Sequence, residues 1–599
     1  MSQKSFGSLF ETKTTNDSET DATQVTDSEI VETETDTEAM TETTVDDTQE
    51  STTVIQETEA KSNPPEGTHY SIGIDLGTTH CVLSYVDISD PDNEEIIQEV
   101  LQIPQLSAPG VIEDKPQLPS FLYQAHASEL PEGESVLPWT AEPEYLVGEI
   151  ARKLGEKTPM RLVSSAKSWL CHAGVDCKSP ILPSDAPEEV EQVSPFQASA
   201  AYLEHLCAAW NKQHPNAPIA EQEITLTVPA SFDPAARELT AEAARSVGLT
   251  NAILLEEPQA ALYSWIEKSE GDWRKHVNVG DIILVIDVGG GTTDLSLIAV
   301  TEEEGNLGLT RIAVGDHILL GGDNMDLALA YTLKTKIEKD GKRLAPWQVQ
   351  ALTHACRSAK ETILSDEAAD NIAIVVPNRG SSLIGGTLRT ELTRDEVDTV
   401  LLQGFLPTIG SDEHPVVNSR TGLRTKGLPY AQDAGITRHL AAFLTRQVNA
   451  VDDIKDINLA DNASFIHPSA VLFNGGVLKA PRFANRLMDV LNEWLATENA
   501  PEARLLSGLD LDLAVARGAA YYGYVRKGKG VRIKGGTAAS YYVGVESSMP
   551  AVPGMPPEVQ ALCLAPFGME EGSNEELPND EFGLIVGEPV RFRFFGSKT

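Results

Sequence analysis

Hydrophobic and polar positions change rhythm several times along this chain. From Tyr70 the segment HYSIGIDLGTTHCVLSYV runs as an apolar stretch, a Gly-Thr-Thr turn placed after an aspartate, and a second apolar stretch. That pattern predicts a β-hairpin. Residues 282–299, IILVIDVGGGTTDLSLIA, repeat the same order of strand, Asp, glycine turn, Thr and strand. Two copies so far apart predict an ordered chain built from two related halves by internal duplication.

Between the copies the pattern is mixed. Glu149 to Trp169 carries apolar residues at helical spacing, and Ile224 to Val228 alternates as a strand. Asp233-Pro234 supplies a helix N-cap and first-turn pair, Gly248 a stop, and Ile253 to Leu255 the next strand. Pro258, directly after Glu256-Glu257, opens another helix, so a carboxylate stands at a helix entrance. In the second half a long amphipathic helix follows the Gly321-Gly322 pair, and helices dominate to Thr362. Ser469 to Asn474 reads as a strand feeding a glycine turn and a helix over Pro481 to Leu495; the last helix is expected over Leu511 to Arg526. Beyond it, KGKGVRIKGG is basic and Gly-rich like a linker, and residues 540–599 show short alternating strands.

Composition narrows the classes. The chain of 599 residues is 41% hydrophobic, enough to bury several cores, and sets 90 Asp+Glu against 46 Lys+Arg for a formal charge of -44. Such a field repels phosphate backbones, so nucleic acid and anionic membranes are not expected partners. Residues 1–66 hold 17 acidic residues, three lysines and no arginine, a Thr/Glu/Asp run without apolar periodicity. It reads as a disordered acidic tail, either solvating or a regulated docking segment. The first residues lack an apolar leader, and the longest apolar runs, such as Ile282 to Ile286, are strand-sized; a soluble, cytoplasmic protein is expected. The six cysteines are scattered as in a reducing compartment, and Cys171-His172 with Cys177 lacks a second ligand pair for zinc.

The paired hairpins suit phosphate. Backbone N–H groups of a glycine turn converge on phosphate oxygens, threonine hydroxyls add donors, and aspartates hold a hydrated Mg²⁺. The parts are Asp75, Gly77, Thr78 and Thr79 in the first copy, and Asp287, Gly289, Gly290, Gly291, Thr292, Thr293 and Asp294 in the second. A nucleotide is expected between the halves.

From about Tyr70 to Arg526 the sequence resembles the actin-like ATPase superfamily and, within it, a divergent, bacterial-type member of the 70-kDa heat-shock chaperone family. The resemblance rests on IGIDLGTTHC, ITLTVPASFDPAAREL, LLEEPQAALY, VIDVGGGTTDLSL, LLGGDNMD and VLFNGGVLKAP, in the family's order. It implies an α/β fold: a duplicated, actin-like two-lobed ATPase core followed by a short all-β C-terminal segment. By that resemblance Asp75 and Asp287, with Asp294 nearby, organise hydrated magnesium, and Thr292 stands beside the γ-phosphate of ATP. Lys167, in SSAKSWLC, matches the lysine that contacts the γ-phosphate and the attacking water, and Glu257 the carboxylate near metal and water. Pro229 and Arg237 match residues that relay nucleotide state. Gly475, Gly476 and Lys479 match the adenosine-side turn, Gly321, Gly322 and Lys360 the other wall, and Asp512 an aspartate near the ribose. Val477, Lys479 and Glu361 depart from the family's usual residues there, so altered adenine contacts are implied.

The domains expected are an acidic tail (1–67), the ATPase core (68–526), a linker (527–537) and a partial or reduced β substrate-binding module (538–599). The linker is charged where the family's is apolar, so its docking and the coupling it carries are expected to be altered. The function implied is an ATP-dependent chaperone acting on unfolded or extended polypeptides, with a co-chaperone and a nucleotide-exchange factor as further partners. An actin-like filament former is the alternative, and a sugar kinase lacks a recognisable acceptor site.

Overall fold

The computed structural model describes residues 69–597 except 91–95, 127, 185, 270, 304–305, 340, 342, 366–368, 377–386, 417–426, 452–453, 455–456, 458, 460–462, 529, 535, 538–539, 547–558, 567–568 and 570–591. The acidic tail therefore lies outside the described residues.

Two sheets organise the core, and each is built on one of the predicted hairpins. In the first lobe β1 (Tyr70–Leu76) and β2 (His80–Asp87) pair antiparallel, with β3 (Gln98–Val100) beyond β2. On the other side β4 (Glu223–Val228) and β5 (Ile253–Glu256) add in parallel, giving the order β5-β4-β1-β2-β3. The second lobe repeats this: β6 (Ile282–Val288), β7 (Thr293–Glu303), β8 (Asn306–Val314), β9 (Ala470–Asn474) and β10 (Arg504–Leu505) run in the order β10-β9-β6-β7-β8. The same mix of antiparallel hairpin and parallel neighbours recurs. Central strands buried on both faces read as continuous apolar runs, as β6 (IILVIDV) does.

Helices cover the sheets. The described ones used below are α1 (Glu149–Lys157), α2 (Ala166–Trp169), α3 (Pro195–Gln213), α4 (Pro234–Ser246), α5 (Glu257–Lys268), α6 (Gly322–Glu338), α7 (Pro346–Ser365), α8 (Ile436–Arg446), α9 (Pro481–Thr497) and α10 (Ala514–Arg526). Asp233 caps α4, its carboxylate accepting from the Ala236 amide, with Pro234 in the first turn as its sequence implies. The stretch from Glu149 to Trp169 is not one helix. Pro159 cannot continue α1, which ends at Lys157; residues Leu162–Val163 then pair with Leu122–Tyr123, and only four residues, α2, return to helix.

The segment expected to act as a linker contributes a strand to the second sheet. Ile533–Lys534 form β11, parallel to β8, and make a sixth strand. Ile533 is buried, and its N–H donates to the Tyr263 hydroxyl at 2.8 Å. After it, β12 (Ser540–Glu546) pairs with β13 (Val559–Ala565) on one side and β14 (Phe594–Ser597) on the other, an all-β segment. Among the described residues no helix is long and apolar enough to cross a membrane.

α10 packs backbone to backbone against α5. A Cβ built on Gly518 would lie 1.7 Å from the Ala260 carbonyl oxygen. Gly518→Ala gains about 1 kcal/mol of helix propensity but must separate the two helices, and overpacking of this kind costs roughly 1–3 kcal/mol or more. The expected net is destabilisation, read as a lower midpoint in urea unfolding.

Candidate functional site

Both hairpin turns open onto one cavity of about 670 Å³ between the lobes. Asp75, at the end of β1, and the turn residues Gly77, Thr78 and Thr79 line it from the first lobe. Asp287, Gly289, Gly290 and Thr292 line it from the second. The two turns touch: a Cβ on Gly290 would meet the Thr79 hydroxyl at 2.0 Å, so only glycine allows this approach. Two amides of α6 fix the second turn from behind, Gly322 N–H to the Gly289 carbonyl at 3.0 Å and Asp323 N–H to the Gly290 carbonyl at 2.7 Å.

At the floor lies a buried charge cluster. Lys167, from α2, is ion-paired with Glu257, the first residue of α5. Lys167 is only 8% exposed, so its charge is tenable because carboxylates surround it. Burial, which alone would lower its pKa, is outweighed by Glu257, Asp75 and Asp287, and the ammonium is held above its ordinary range. Burial pushes Glu257 up to about 7 against the pull of Lys167, with Asp75 and Asp294 adding to the rise. Asp287 is raised well above the usual carboxylate range by burial and by Glu257, Asp294 and Asp75, although Asn474 donates to it at 2.7 Å. Asp75 is raised by burial despite Lys167 and the Thr227 hydroxyl, which donates to it at 3.2 Å.

Three carboxylates facing one ammonium, with Asp294 behind them, leave excess negative charge in a low-dielectric place, and this donor set fits a divalent cation. No group of three or more His, Cys, Asp or Glu side chains among the described residues is arranged to ligate an ion directly. A cation there would keep its water and be held through it, as Mg²⁺ commonly is.

Not every residue singled out by pattern faces the cavity. Thr293 is wholly buried, and its hydroxyl donates to the Leu320 carbonyl at 2.7 Å; it clasps the second turn to the chain ahead of α6. Asp294 stands opposite Asp287 in the β6/β7 ladder but is absent from the cavity wall. Its carboxylate accepts from Ser231, whose hydroxyl in turn pairs with His317 Nδ1 at 2.7 Å. Burial would raise Asp294, yet His317, Ser231 and Thr292 hold it below its usual range. Gly291 and Gly321 back onto Ser168 and Gly289 and do not line the cavity either.

The far end is walled by Gly322 and Lys360 on one side and by Gly475, Gly476, Lys479 and Asp512 on the other. Lys360 is committed to Asp326 at 2.7 Å, and Lys479 to Asp512 at 2.6 Å. Away from the cavity, Arg237 donates to Glu256 at 2.8 Å and to the Ala230 carbonyl at 3.0 Å, just after buried Pro229. Glu256 also binds the buried Arg311, which reaches the Gly536 carbonyl at 2.8 Å.

Sequence reasoning missed several side chains. His80, on the cavity wall, is pushed down to about 4, chiefly by burial, and is neutral at pH 7. Arg357 joins Asp323 to Asp326, its Nε donating to Asp326 at 2.8 Å. Ser165, just before α2, has φ 54°, one of two non-glycine residues described with positive φ. Such backbone strain costs roughly 1–3 kcal/mol. Its hydroxyl does not cap α2 but donates to Asp323 at 2.6 Å across the cleft.

A duplicated strand order with a polar cleft between the copies defines the actin-like class of nucleotide-binding folds. The family model described as Hsp70 protein matches residues 71–408, more than half of the chain, and the chain belongs to that family, one of chaperone ATPases.

Asp287 carries a testable cost. A carboxyl whose folded pKa lies above its unfolded value of about 3.9 favours folding while protonated and opposes it progressively as pH rises toward the folded value. Without metal, stability should therefore decline from mildly acid to neutral pH. Asp287→Asn should raise the melting temperature at pH 7.5 in a chelator by a few degrees, flatten that decline, and weaken the further stabilisation given by Mg²⁺ and nucleotide. Thermal melts across pH check all three.

Proposed function

We propose that the chain is an ATP-dependent chaperone in which residues 68–526 bind and hydrolyse ATP between the lobes and residues 538–599 form a β module engaging unfolded or extended polypeptide. The observation that carries this reading is the meeting of Lys167 and Glu257, from different helices, at the buried end of a cavity walled by both glycine turns.

In this reading the amides of the two turns, with the Thr78, Thr79 and Thr292 hydroxyls, hold the phosphates. Lys167 places its ammonium at the γ-phosphate, where charge develops as water attacks. Glu257, with its pKa near 7, accepts a hydrogen bond from that water and orients it. Asp75 and Asp287 hold hydrated Mg²⁺, with Asp294 supporting the site electrostatically from behind; the ion supplies neutralisation of phosphate charge. Gly475, Gly476, Lys479 and Asp512 take the adenosine side, and Gly322 and Lys360 the opposite wall, with Gly321 behind it. Pro229 and Arg237, through Glu256 and Arg311, lead from the cavity's rear to residues 527–537, a path for relaying nucleotide state. A co-chaperone and an exchange factor would act on that cycle.

Steady-state ATP hydrolysis, with and without a permanently unfolded protein, tests the proposal. Lys167→Ala and Glu257→Ala should each lower kcat by about 100-fold or more while ATP still binds, and unfolded protein should raise wild-type turnover. Turnover independent of Lys167 would sink the catalytic assignment, and turnover indifferent to unfolded protein would sink the coupling.

A further inference from the structure

The four-residue helix α2 is too short to hold its place by its own hydrogen bonds. Its far end is anchored where Trp169 packs into the first-lobe core. Its near end begins at Ser165, in the left-handed region at φ 54° and ψ 29°. Serine at a helix start ordinarily turns its hydroxyl to the helix's own amides. Here the hydroxyl crosses the cleft to Asp323 in the first turn of α6, at 2.6 Å. Asp323 is itself immobilised: its other carboxylate oxygen is bound by Arg357, which also binds Asp326, and its amide donates to the Gly290 carbonyl of the second glycine turn.

We infer that Ser165 is a positioning residue whose hydroxyl, held by Asp323 of the opposite lobe, keeps the short helix carrying Lys167 in its working place only while the lobes are closed. The inference rests on the ATPase reading for its purpose. A continuous path then runs from the Gly290 turn through Asp323 and Ser165 to Lys167, two residues further on. When the lobes part, the bond is lost, nothing in that path holds Ser165 in a left-handed conformation, and the position of Lys167 rests on its ion pair with Glu257 and on Trp169. Lysine position is thereby made conditional on closure around phosphate.

Three substitutions separate this from a merely local role. Ser165→Ala loses the hydroxyl and keeps the strain; Ser165→Gly loses the hydroxyl and relieves the strain; Ser165→Asn tolerates the left-handed conformation and carries an amide donor for Asp323. In single-turnover hydrolysis, Ala and Gly variants should both be slower by about ten- to a hundredfold, with ATP affinity changed less than about threefold, and Asn should restore most of the rate. Amide hydrogen exchange of residues 166–170 in the protein saturated with Mg²⁺ and a non-hydrolysable ATP analogue gives the second readout. It should rise about tenfold in the Ala and Gly variants and return toward wild type with Asn.

A Gly variant as fast as wild type, with unchanged exchange at residues 166–170, overturns the inference. If the wild-type chain shows no Lys167-dependent hydrolysis, the ATPase reading falls, and the exchange measurement still decides whether Ser165 holds the helix.

Discussion

The architecture turns on a buried imbalance of charge. Asp75 and Asp287 end corresponding strands of the two sheets, Glu257 opens α5, and Asp294 stands across the ladder from Asp287. Asp75, Asp287 and Glu257 act on the single ammonium of Lys167, and Asp294 adds its negative charge to Glu257 and Asp287. Removing charges from water is expensive, and like charges so close cannot all ionise unless something positive joins them. The sheets, with apolar cores behind them, keep the carboxylates from separating, while the N-terminal end of α5 offers Glu257 a favourable helix dipole. A site of this kind is poorly satisfied by its own residues and has room for added positive charge.

What the sequence disclosed was local. The two hairpins, the Asp233-Pro234 helix start and the carboxylate ahead of Pro258 each follow from short-range rules, and each appears where those rules put it. Duplication of hairpins also foreshadowed the repeated strand order. The contacts that were not legible join residues far apart in the chain: Ser231 with Asp294 and His317, or Ser165 with Asp323. No periodicity marks these partners, since a serine in a loop looks the same whether it faces water or a carboxylate. The hairpin pattern groups Thr293 with Thr292 as a phosphate donor, but strand alternation turns adjacent side chains to opposite faces, and its hydroxyl goes inward. The stretch from Glu149 kept helical spacing through Pro159, where covalent geometry overrides periodicity.

Glu256 and Glu257 illustrate how closely two tasks are packed. One closes β5 and the other opens α5, so neighbouring carboxylates serve separate networks: Glu257 meets Lys167 at the cavity, and Glu256 meets Arg237 and Arg311 behind it. A single peptide unit joins them. Any shift of the α5 entrance is felt by both.

Composition implies altered docking for the charged, Gly-rich segment after α10, and the atoms that hold it show how it docks. Ile533 is held through its N–H, Gly536 through its carbonyl, and β11 through ladder bonds to β8. The Ile533 and Val531 side chains pack into the core, and the hydrogen bonds just named use main-chain groups that nearly every amino acid carries. The tether is thus indifferent to most of its own spelling. Side-chain changes at its glycines and lysines leave these main-chain bonds in place, whereas one proline at position 533, lacking the N–H, would undo the bond to Tyr263.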